Sequence, residues 1–152
     1  MAYDIIVIGC GLSGLYAGAL AARSGKKVLI LARGVGSTHI GAGTIDVYSD
    51  LAALKASYKS KSHPYALIGA QALNSAVENF KAICAEHSYP LHGEVGKNFK
   101  LPTAIGGTRS ACLIPETMLS GDLSRKEKFA LANIQGFRDF SATFAASNLK
   151  SL

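Results

Sequence analysis

The chain has 152 residues, 49% of them hydrophobic, and a formal charge of +6. That length and apolar content place it among ordinary globular proteins and exclude a low-complexity or fibrous polypeptide. The basic balance favours an anionic ligand, but the lysines are scattered rather than interleaved with aromatic residues on one face, which argues against nucleic acid.

Ile5-Ile6-Val7-Ile8 is a continuous β-branched run, the pattern of a parallel strand buried on both faces. It leads into Gly9-Cys10-Gly11-Leu12-Ser13-Gly14, where glycines let the backbone turn tightly and approach a pyrophosphate at the N-terminus of the next helix. That helix is expected over residues 13–24, with Gly18, Ala21 and Ala22 on a small-residue face and Gly25 as its stop. Val28-Leu29-Ile30-Leu31 is then a second strand, and residues 3–31 form a βαβ unit. The uncharged stretch 5–22 approaches the length of a membrane span, yet its glycines cut it into pieces too short to cross a bilayer. Only Asp4 precedes it, so no signal peptide is written here, and an intracellular location is expected.

Residues 32–43 hold too many glycines for a helix or long strand and read as a loop with close backbone contacts. Ser49 or Asp50 is a candidate cap for a short helix through Leu51, Leu54 and Tyr58, followed by a solvated connector, residues 59–64. Leu73, Val77, Phe80 and Cys84 recur at helical spacing in a longer helix over 65–87, an apolar stripe that belongs to a core. Pro90, Pro102 and Pro115 exclude long helices from 88–127, where Ala111-Cys112-Leu113-Ile114 suggests a small strand. Residues 129–134 resemble another strand, Gln135-Gly136 a turn, and Phe137, Phe140 and Phe144 one face of a final helix. Cys10, Cys84 and Cys112 fit neither a disulfide framework nor a metal site and read as buried thiols, and the histidines have no metal-ligand spacing. The fold class is therefore α/β: a Rossmann-like dinucleotide-binding βαβ unit, residues 1–48 with its glycine-rich loop, and an inserted mixed α+β region, residues 49–152.

Four segments carry a family resemblance: Gly9-x-Gly11-x-x-Gly14; Arg33-Gly34 with Ser37-x-His39-x-x-x-Gly43-Thr44-Ile45-Asp46; Leu101-Pro102-Thr103-x-x-Gly106-x-x-Arg109-Ser110; and Gly136-Phe137-x-Asp139-Phe140. The chain resembles the front part of the family formed by the B subunit of anaerobic glycerol-3-phosphate dehydrogenase, flavoproteins of the glutathione-reductase and succinate-dehydrogenase class. The resemblance implies flavin-dependent oxidation of glycerol 3-phosphate to dihydroxyacetone phosphate. It also implies two other dehydrogenase subunits as partners, a larger flavoprotein and an iron-sulfur protein, with electrons passing toward a quinone. Localisation would be cytoplasmic, at the inner face of the membrane through those partners. It covers only the front portion of the family's longer polypeptide, so the segment that covers the flavin ring is expected to lie beyond this chain. A fragment without activity is one alternative, and a non-catalytic scaffold that keeps a nucleotide-binding fold is another.

Gly9, Gly11, Leu12, Ser13 and Gly14 are the expected phosphate cradle, joined by Arg33, Ser37, Thr38, Gly43 and Thr44 from the following loop. At the end of the second strand, where Asp or Glu usually binds the ribose hydroxyls, stands Ala32, followed by Arg33. The missing acid argues against NAD and points to FMN, with FAD as the alternative; Arg33 is either a phosphate ligand or a surface arginine paired with a carboxylate. His39 is a weak catalytic candidate for proton transfer; Ser37 stands opposite the class's flavin-bearing histidine, so a covalent flavin is not expected. Arg109, also a weak candidate, is either a fork for a substrate phosphate or half of a structural ion pair, and Asp46 either holds a hydroxyl or caps a turn.

Overall fold

A computed structural model describes residues 2–48, 51–60 and 62–151. The chain divides into two compact units, Met1–Gly43 and Thr44–Leu152.

In the first unit, β1 (Ile5–Ile8) and β2 (Val28–Leu31) pair in parallel, Ile5 beside Val28 and Ile8 beside Leu31. Parallel neighbours need a crossover, and α1 (Leu12–Arg23) supplies it. The helix stops where expected: Lys26 N–H donates to the Ala21 carbonyl at 3.1 Å and Gly25 N–H to Ala22 at 3.0 Å, the paired bonds of a Schellman cap. Asp4 accepts a 2.7 Å hydrogen bond from the Lys27 N–H, which fastens the entry of one strand to that of the other. This is the predicted βαβ unit.

The second unit opens with residues 44–48, which the sequence assigns to the glycine-rich loop. The Ile45 N–H donates to the Leu113 carbonyl, and the Cys112 and Leu113 N–H groups both donate to the Ile45 carbonyl. These bonds, made across a long sequence separation, join the stretch to the second unit. After α2 (Leu51–Ser57), α3 (Pro64–Glu86) is capped by His63, whose Nδ1 accepts from the Tyr65 N–H at 3.1 Å while Nε2 meets the Tyr48 hydroxyl. Gly69, at φ +76°, interrupts the helical run that the apolar stripe predicts as continuous. Ser49 and Asp50, the expected caps of α2, lie outside the described residues.

β3 (Leu91–His92) is followed by the hairpin of β4 (Phe99–Pro102) and β5 (Thr108–Ala111), and β6 (Ile114–Pro115) returns antiparallel to β3. The predicted strand at 111–114 is thus the end of one strand and the start of another, with Leu113 bridging to Ile45 between them. Cys112, Leu113 and Ile114 are fully buried; Val77 and Leu91 pack with the first two, Leu101 and Ala111 with the third.

Two expectations near the end fail. Residues 129–134 pair with no strand among the described residues. The final helix, α4 (Ala142–Lys150), begins after Phe137 and Phe140 because two side chains satisfy its first N–H groups there: Ser141 Oγ accepts from Phe144 and Asn133 Oδ1 from Ala142.

Candidate functional site

The turn after β1 divides its work among three glycines. Gly9 holds φ +107°, a conformation that side chains rarely adopt, and its N–H donates to the Leu31 carbonyl at 2.8 Å, which ties the turn to the end of β2. A Cβ on Gly14 would lie 2.4 Å from the Gly9 carbonyl oxygen, so only glycine lets α1 start this close to the strand. A Cβ on Gly11 would meet nothing nearer than Ser37 Oγ at 3.7 Å. The fold itself therefore tolerates a side chain at Gly11, and the space in front of it is open.

Gly11 is also the N-cap of α1, with no side-chain cap and no acidic residue in the first turn. The N–H groups of residues 12–14 consequently have no hydrogen-bond partner among the described residues. Orphan donors at the positive end of a helix dipole form a pole for an anion, and a phosphate satisfies both the donors and the charge.

The loop after β2 closes against this turn. A Cβ on Gly36 would lie 2.0 Å from the Cys10 carbonyl oxygen and 2.8 Å from the Gly11 nitrogen, and Cys10 Sγ donates to the Gly34 carbonyl at 3.3 Å. Sequence reasoning missed Gly36 and Cys10 as site-forming residues; the signal for them was Gly34-x-Gly36, a second pair of glycines in reach of the first. Between turn and loop lies a cavity of about 260 Å³ lined by Ile8, Gly9, Cys10 and residues 31–36. Arg33 lies on it, exposed, and has no ion-pair partner among the described residues.

Leu12 opens α1, half-buried, and Ser13 follows it, exposed. Ser37, Thr38 and His39 make one exposed 3-10 turn, where the His39 imidazole forms no hydrogen bond among the described residues. Gly43 closes the first unit. Thr44 and Arg109 belong to the second unit, where the Arg109 guanidinium donates through Nη2 to Thr44 Oγ1 at 2.8 Å and to Asp46 Oδ2 at 2.7 Å. Of the two readings of Arg109, this is the ion pair, and Asp46 is its carboxylate rather than a cap.

Burial pushes the Cys112 thiol up to about 11, against the weaker pull of the Lys81 ammonium, so it is inert rather than nucleophilic; Cys84 shifts the same way for the same reason. Among the described residues no group of three or more His, Cys, Asp or Glu side chains is placed to hold a metal ion. No described helix is long and apolar enough to cross a membrane.

Comparison with known proteins agrees with this geometry. The FAD binding domain family matches residues 4–151. The B subunit of anaerobic glycerol-3-phosphate dehydrogenase from Mannheimia succiniciproducens is 28% identical over 164 residues, covering 99% of this chain and 38% of that protein. The same protein from Haemophilus influenzae is 27% identical over 168 residues, covering 98% and 39%. The chain thus spans about two fifths of the length of the curated relatives it matches. No solved structure gives a significant match. With the family's match running through the glycine turn, both strands of the parallel pair and nearly all of the second unit, this chain belongs to the FAD binding domain family.

Proposed function

We propose that this chain binds FAD through Gly9, Gly11, Leu12, Ser13 and Gly14, as part of a flavoprotein subunit that oxidises glycerol 3-phosphate to dihydroxyacetone phosphate. The observation that carries the proposal is the open space before Gly11, at a helix start with neither cap nor acidic residue. The family favours FAD over the FMN expected from Ala32. Without a carboxylate at Ala32, the guanidinium of Arg33, exposed at the cavity and without an ion-pair partner among the described residues, supplies charge toward the nucleotide in place of a ribose acid.

The substrate and the multi-subunit setting come from the names of the relatives, and a net charge of +6 suits an anionic phosphate ester. In this proposal electrons pass toward a quinone through the larger flavoprotein and the iron-sulfur protein of the same complex, which also give the chain its indirect association with the membrane from the cytoplasmic side. When bound, the flavin ring supplies the acceptor for the hydride of the alcohol carbon. The N–H groups of residues 12–14 bind and orient the pyrophosphate. Ser37 and Thr38 line the loop that closes over the turn, and His39 in the same loop handles the substrate proton. Arg109 and Thr44 have no part in this reading, because each is engaged with the other.

The test is an absorption spectrum after incubation with FAD or FMN and removal of free flavin. Retained absorption in the near ultraviolet and blue with FAD, lost in Gly11→Val, is the expected result. A protein that stays colourless with both flavins overturns the proposal and leaves the scaffold reading, which the exposed apolar strand β1 favours.

A further inference from the structure

The cavity beside the glycine turn has a second wall, the loop that leaves β2. The Gly9 N–H bond to the Leu31 carbonyl sets the end of β2 next to the turn, so Gly9, Cys10 and residues 31–36 enclose one space of about 260 Å³. Arg33 is the only charged residue among those that line it. The backbone N–H groups of residues 33–36 have no hydrogen-bond partner among the described residues, and the thiol of Cys10 is already directed to the Gly34 carbonyl. Gly34 stands at φ +104°, and a Cβ there would meet nothing within 4 Å, so the space before this backbone is open.

Unsatisfied N–H groups on a glycine turn, beside a guanidinium without an ion-pair partner among the described residues, suit an oxyanion, and a phosphate meets both. Its place in the unit says which phosphate. In a βαβ dinucleotide cradle the pyrophosphate lies at the start of the first helix and the adenosine ribose at the end of the second strand, where a carboxylate bonds the 2′-hydroxyl and an arginine accommodates a 2′-phosphate. Here Ala32 removes the carboxylate and Arg33 supplies the opposite charge.

We propose that the pocket between the glycine turn and residues 32–36 holds a phosphate carried by an adenosine ribose, which makes a 2′-phosphorylated adenine dinucleotide a second ligand of this cradle, in the place that FAD takes. The inference rests on the reading of residues 9–14 as a dinucleotide cradle and adds a class of nucleotide that controls its loading.

NADP+ and NAD+ are the probes, because they differ only in the 2′-phosphate, and isothermal titration calorimetry of the flavin-free 152-residue chain is the readout. NADP+ should bind at least about tenfold more tightly, and Arg33→Ala should close that gap while Arg33→Lys keeps part of it. Gly11→Val should abolish NADP+ binding. The proposal is overturned if the two nucleotides bind equally, if neither binds, or if Arg33→Ala leaves the gap in place. NADP+ binding that survives Gly11→Val also overturns it, as the sign of general attraction to a basic chain, and so does a chain that holds FAD and NADP+ together. Retention of FAD without a preference for NADP+ removes this proposal and leaves the flavin reading. A chain that prefers NADP+ and retains no flavin supports this proposal and overturns the flavin reading.

Discussion

The two units treat apolar residues in opposite ways. Among the described residues of the first unit only Gly18 is buried, and Ile8, at the end of the β-branched run, is 88% exposed; in the second unit Leu113 is 0% exposed and both apolar clusters lie there. A two-stranded parallel sheet with one crossover helix has one face to cover the other with, and its outer side chains have nothing to pack on. The second unit closes its own core with antiparallel pairings between distant segments. Its stability is internal, whereas the first unit gives up burial and gains an open, cradle-shaped turn.

The largest test of that contrast is truncation. Leu113→Ala should cost about 2–5 kcal/mol, seen as a lowered denaturation midpoint, because it empties a site with no exposed surface. Ile8→Ala should stay within about 0.5 kcal/mol, and an equal cost at both positions would break the comparison.

Within the first unit, Gly14→Ala forces a Cβ onto the Gly9 carbonyl and should cost about 1–3 kcal/mol. Gly11→Ala meets no such contact and should cost less than about 1 kcal/mol while abolishing FAD retention. The split between melting temperature and bound flavin is the measurement.

Asp122 sharpens the account of the second unit. Its carboxylate accepts from the Lys100 N–H on β4 and from Ser124, capping the short turn Leu123–Arg125. Burial works against the charged form, but these hydrogen bonds outweigh it and hold the carboxyl below the usual range. The stabilisation is therefore complete above the ordinary carboxylate pKa and is lost as pH falls through the lowered one. Asp122→Ala should remove about 0.5–2 kcal/mol near neutral pH and flatten the acid limb of a stability profile.

The smallest effects concern the arginines. Arg109→Ala breaks a partly exposed ion pair and should cost about 0–1 kcal/mol. Arg33→Ala should leave the melting temperature unchanged while weakening FAD binding; equal flavin affinity would remove Arg33 from the proposed site.

Much of this organisation was legible from the chain. Residues 9–14 carry a local code: the strand, the turn and the helix start are specified within a few residues, so reading in order found them. Gly36 was not found, since its need for a missing side chain arises from a backbone 26 positions earlier, the Cys10 carbonyl. The role of Arg109 was left open for the same reason, its partners being Thr44 and Asp46. Residues 129–134 show a further limit: strand composition marks a segment as suited to a sheet but cannot supply its neighbour.

The sequence by itself determined the βαβ unit, the glycine turn, the Schellman stop of α1 and the apolar face of α3, each written in a local pattern: an apolar run, a glycine spacing or a helical period. Only the tertiary structure decided that residues 44–48 join the second unit, that Arg109 is committed to an ion pair while Arg33 has none among the described residues, and that residues 129–134 pair with no strand among them. Those outcomes depend on which distant backbone and side-chain groups meet, and hydrogen bonds between segments leave no period in the chain that forms them.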